Sequence, residues 1–142
     1  MSDPYNLRRF VNTQQSIYDD VLRELREGHK RSHWMWFIFP QIEGLGHSAM
    51  AREYAISSRE EAEAYLRHPV LGQRLEECAR LVAAINGRSI EDIFGYPDYL
   101  KFRSSMTLFS NVAPNREIFE ECLQKYFGGE PDTVTLAELN KK

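Results

Sequence analysis

Cysteine is scarce in this chain: only Cys78 and Cys122 occur, on separate amphipathic segments and without the CxxC spacing of a metal ribbon or redox motif. A disulfide between them is left open by sequence. With no secretory leader at the N-terminus, however, the expected location is cytoplasmic, where two small buried thiols stay reduced. Long apolar runs are also missing, and nothing approaches the roughly 20 residues of a membrane span, so no membrane association is expected. Excess charge of one sign is absent too. The formal charge of -3 argues against general nucleic-acid binding, which needs a basic surplus. What acidic excess there is falls around Glu60, Glu61, Glu63, Glu76 and Glu77, which read as solvated helix faces. There is no internal repeat, no low-complexity linker and no catalytic signature that names a reaction.

What the chain does hold is a concentration of aromatic surface. Residues 32–48 contain both tryptophans, Trp34 and Trp36, and two of the four histidines, His33 and His47. The run from His33 to Phe39 has no clean period, so it is apolar all round and belongs inside the protein. Pro40 stops it, and a loop with two glycines follows. No second segment offers a convincing strand partner, so a short buried helix is expected there. With 142 residues and 42% hydrophobic content, one domain spanning residues 1–142 is expected, able to bury about two thirds of its unfolded surface.

Helical periodicity dominates elsewhere. Leu7, Phe10 and Val11 open a short helix, and Ile17, Val21 and Leu25 mark a second that stops near Gly28. Ser48 can cap a helix running through Tyr54, and Ser58 with Glu61 forms a capping box for one ending near Arg67. His68 sits at a helix entrance, and Pro69 suits the start of the longest helix, carrying Leu71, Leu75, Cys78, Val82 and Ile85. Ser89 to Phe94 makes one or two turns. Pro97 starts a helix through about Ser110, and the last long helix follows Pro114 and ends at Gly128-Gly129. From about residue 130 an extended tail is expected. The fold class is all-α.

Four blocks carry a family resemblance: His33-Trp34-Met35-Trp36-Phe37-Ile38-Phe39-Pro40-Gln41, Gly44-Leu45-Gly46-His47-Ser48, Tyr65 through Leu75, and Lys101 through Phe109. In this order they resemble the family designated domain of unknown function 1810, some of whose members carry a calpastatin label. The resemblance runs from about Asp3 to Leu136. It implies a compact bundle of helices wound as a right-handed superhelix and brings no known reaction. Calpastatin itself is a disordered inhibitor, whereas this chain has the composition of a packed domain.

The candidate ligand-binding residues are His33, Trp34, Trp36, Gln41, Gly44, Gly46, His47, Ser48, Lys101 and Ser105. Two glycines ahead of a helix start leave backbone N–H groups uncovered, and such groups attract phosphate or carboxylate, although the GxGxS string lacks the lysine of a phosphate loop. The histidines His33 and His47 flank this mouth as candidate proton carriers. On the helix of residues 98–110, Tyr99, Phe102, Met106 and Phe109 form an apolar stripe with Lys101 and Ser105 on its border. There a lysine can hold an anion or activate the serine, or it can lay its stem on the core while the serine bonds back to the backbone. His29 and His33, four apart, lack the glutamate of a zinc-hydrolase helix, so neither a metal nor another cofactor is expected.

These residues point to recognition of a small anionic ligand, a nucleotide or sugar phosphate, through backbone amides, Lys101 and a stacking aromatic. Two other function classes remain open. In size and helical make-up the chain is distantly similar to helical N-glycosidases acting on NAD-related and riboflavin-pathway compounds, but their motifs are not matched and no catalytic residue carries over. Alternatively the domain is a protein-interaction module whose aromatic segment is only core.

Overall fold

The computed structural model describes residues 2–142, and among them ten helices follow one another: α1 (Arg8–Gln15), α2 (Tyr18–Glu27), α3 (Met35–Ile38), α4 (Ala49–Glu53), α5 (Arg59–Arg67), α6 (Leu71–Ala84), α7 (Ile90–Phe94), α8 (Asp98–Val112), α9 (Glu117–Phe127) and α10 (Thr133–Lys141). The extended backbone pairs only once among the described residues, at a single parallel bridge between Ile42 and Ile56. None of the helices is long and apolar enough to cross a membrane. The all-α reading of the periodicity therefore holds.

Local chemistry explains most of the boundaries. Ser48 accepts from Ala51 N–H at 3.1 Å to start α4, and Ser58 accepts from Glu61 N–H at 3.1 Å to start α5. The reciprocal arm of that box is displaced by one residue, since the Glu61 carboxylate receives Ser57 N–H at 2.9 Å. His68 does mark a helix entrance: its Nδ1 accepts from Val70 and Leu71 N–H at 3.1 and 3.3 Å, covering two donors at the α6 start. α2 and α9 end at Gly28 and Gly128.

α8 lies at the centre, packed by α3, α5, α7, α9 and α10, while α6 meets α2, α3, α5 and α9. The short α3 sits between α1, α6 and α8. Phe39, just after α3, meets Phe102 edge-on at 4.9 Å, and Phe94 of α7 packs on the same ring at 4.9 Å. Cys78 and Cys122 are free and buried.

Four expectations are corrected. The longest helix is α8, with 15 residues against 14 in α6. Glu61 is not a solvated charge; it is buried and pairs with Arg9 at 2.8 Å. The segment beyond residue 130 is not an extended tail, because Asp132 accepts from Thr135 N–H at 3.2 Å and caps α10. Finally, α8 has no border along Ser105: every residue from Ser104 to Ser110 is buried. On one side the cap of α10 covers α8, where Ser104 donates to Asp132 at 2.9 Å.

Candidate ligand-binding cleft

Beyond Pro40 the chain makes a closed loop whose neck is the Ile42–Ile56 bridge. Glu43 N–H donates to Ile56 O and Ile56 N–H to Gln41 O, each at 2.8 Å, and both isoleucines are buried. Arg9 of α1 ties the returning arm down, donating to Glu53 O at 2.8 Å and Ala55 O at 2.9 Å. Its remaining hydrogen bonds go to Tyr5 O, Asn6 O and the Glu61 carboxylate, which anchors the loop to the starts of α1 and α5. Beside the loop lies an open cavity of about 410 Å³ lined by Trp36, Gln41, Glu43, His47, Arg52 and Tyr54, among others; Glu43, His47 and Arg52 are exposed, so the wall carries one carboxylate as well as the two basic groups.

A second hollow, of about 310 Å³, opens on the other side of the glycine segment, between Leu45, Leu100, Lys101 and Val134. Gln41, Gly44 and Gly46 belong to both walls. The glycines are required by close approach. A Cβ on Gly46 would stand 2.5 Å from the Ala51 Cβ of α4, and one on Gly44 would stand 2.8 Å from the Glu138 carboxyl of α10. Gly44 also takes φ of 107°, which disfavours any side chain. The segment is thus clamped between α4 and α10.

The charges are not equally available. Lys101 Nζ lies 4.6 Å over the Trp36 ring and 3.4 Å from Asp98. Asp98 in turn pairs with Lys30 at 2.7 Å, and Lys30 lies 5.2 Å over Trp34. Each tryptophan therefore carries one lysine, and the two lysines share one carboxylate. In the first cavity, by contrast, the side chains of Arg52 and His47 have no hydrogen-bond or ion-pair partner among the described residues. Trp36 Nε1 is enclosed by protein and also lacks an acceptor.

Of the residues singled out by sequence, Trp36, Gln41, Gly44, Gly46 and His47 come together around the first cavity, with Lys101 facing the second. The others do not line either. His33 is exposed and lies outside both walls. Trp34 is a core residue whose indole N–H donates to Glu24 at 2.9 Å. Ser48 is spent as the α4 cap. Ser105 is wholly buried with its hydroxyl unpaired, so it neither bonds back to the helix nor reaches a cleft. Sequence reasoning missed Arg52 and Tyr54. The available signal was the Ser48 cap, which places Arg52 one helical turn beyond the glycine loop. Among the described residues no group of three or more His, Cys, Asp or Glu could hold a metal ion.

The family model described as "Protein of unknown function (DUF1810)" matches residues 4–139. Among solved structures, the chain is similar to the conserved hypothetical protein Rv1873 from Mycobacterium tuberculosis, with 54% identity, a TM-score of 0.96, and coverage of 97% of this chain and 99% of that one. No curated protein matches.

Proposed function

The chain belongs to the DUF1810 family, and from that premise we propose that it binds a small anionic ligand, a nucleotide or sugar phosphate, within the loop of residues 41–56. The observation that carries this reading is the pair Arg52 and His47, both without protein partners, beside the rings of Trp36 and Tyr54 in one cavity. A guanidinium offers parallel N–H donors matched to phosphate or carboxylate oxygens, and an aromatic face accepts a base or sugar ring. The charge is assigned to Arg52 instead of Lys101, because the Lys101 ammonium is already held by Asp98 and the Trp36 ring.

Thermal unfolding against a panel of nucleotides and sugar phosphates tests the proposal. A ligand at 100 times its dissociation constant should stabilise the protein by about 2.7 kcal/mol. Arg52→Ala should weaken binding by roughly 1.5 to 3 kcal/mol, a charge-assisted hydrogen bond, with the fold intact by circular dichroism. Lys101→Ala should cost much less. A panel with no stabilising member, or affinity indifferent to Arg52→Ala, refutes the proposal. Release of free base from a bound nucleotide would replace binding by N-glycosidase chemistry.

A further inference from the structure

α10 is held unevenly along its length. At its start Asp132 is bound on several sides: its N–H donates to the Thr107 hydroxyl at 2.9 Å, and its carboxylate receives the Ser104 hydroxyl at 2.9 Å and the Thr135 hydroxyl at 2.5 Å. Arg103 of α8 adds hydrogen bonds to Glu130 O and Pro131 O at 3.1 and 3.0 Å. Past this cap only Thr135 and Leu139 of the helix are buried. A helix of nine residues does not persist once it leaves its docking surface, so undocking and unfolding of α10 are one event. A segment with one large apolar anchor opens ahead of the core.

The far end of α10 rests on the ligand loop. The Glu138 carboxyl packs on Gly44, where a Cβ would stand 2.8 Å from it, and Lys142 Nζ lies 4.0 Å from the Glu43 carboxylate. Glu138 is largely buried in this position, and its ion pair is with Lys141 of its own helix at 3.1 Å. Glu43 and Gly44 line the Arg52–His47 cavity, whereas no residue of α10 does among the described residues. The two arms of the loop are therefore tied by different parts of the chain. Arg9 holds the returning arm at Glu53 and Ala55, and α10 backs the outgoing arm just past the buried Ile42. With Glu138 withdrawn, Gly44 has the backbone freedom to leave its φ of 107°.

We infer that α10 is a strap that opens as a local unit and, when docked, fixes the Glu43–Gly44 wall, so that the shape of the cavity follows the state of this helix. The coupling is carried by packing within the chain and stands whether or not the ligand is an anion.

Hydrogen exchange of the full chain in low concentrations of urea tests it. The Glu43 and Ile56 amides report the neck of the loop, since they bond Ile56 O and Gln41 O. The amides of residues 137–141 report α10, and those of α6 report the core. Neck and α10 amides should share one opening step, with a weaker urea dependence than the α6 amides. Asp132→Ala removes the cap and should speed the neck and α10 amides together, about fivefold. Glu138→Ala severs only the far contact; it should speed the neck amides while leaving those of α10 nearly unchanged. Exchange of α10 only in the global unfolding step that α6 reports would overturn the inference, because no separate strap then exists. So would an Asp132→Ala variant in which α10 exchanges faster and the neck does not, or neck amides indifferent to Glu138→Ala.

Discussion

Glu24 is a buried carboxylate that organises the entry to the aromatic segment. It receives Arg31 N–H at 2.7 Å, Ser32 N–H at 3.0 Å, the Ser32 hydroxyl at 2.5 Å and the Trp34 indole at 2.9 Å. Burial pushes its pKa up, but the hydrogen bonds from Ser32, Arg31 and Trp34 outweigh burial and hold it at about 2. A carboxylate depressed in the folded state stabilises fully above its unfolded pKa and progressively less as pH falls toward the folded one. Glu24 should therefore cost stability as pH drops from about 4.5 to about 2. Urea denaturation across that range should show the decline, and Glu24→Gln should flatten it while losing roughly 1.5 to 3 kcal/mol at neutral pH. A wild-type profile unaffected by this substitution would contradict the assignment. Burial of Trp34 was legible from the unbroken apolar run, but its partner was not, since Glu24 lies on another helix with nothing local to mark it.

At the level of elements, helix ends were legible where side chains bond their own backbone neighbours, as at Ser48, Ser58 and His68. Contacts between helices were not. Gly72 is an example: a Cβ there would stand 2.1 Å from the Leu66 carbonyl oxygen, so α6 crosses the end of α5 at backbone contact. Alanine would gain up to about 1 kcal/mol in helix propensity, yet it must displace backbone. The clash should win. Gly72→Ala should lose at least the roughly 1 to 3 kcal/mol of ordinary overpacking, read as a lower urea midpoint. A stabilised variant would show that α5 and α6 can separate at no cost. The same blindness explains the expectation for α8. Ser105 read as the border of an apolar stripe, whereas it is buried, and the neighbouring Ser104 and Thr107 bind Asp132 across a helix junction.

On the scale of the whole molecule, Cys78 of α6 and Cys122 of α9 report on the centre from two helices. Burial pushes each thiol up to about 12, so neither is a thiolate at pH 8. If residues 1–142 unfold as one cooperative domain, a disulfide reagent should label both at one common rate, the rate of global opening. Two rates would reveal separable units. The residue pattern by itself determined the all-helical class, most helix positions, the burial of the aromatic run and the place of the glycine loop, because periodicity, caps and turns act over a few residues. Only tertiary structure decided which candidates meet. Trp34 finds its acceptor on α2 and Ser104 on the cap of α10, and the Arg52–His47 cavity exists because Arg9 and the Ile42–Ile56 bridge close a loop across the chain. Such contacts depend on distant segments coming together, and that leaves no mark in the spacing of neighbouring residues.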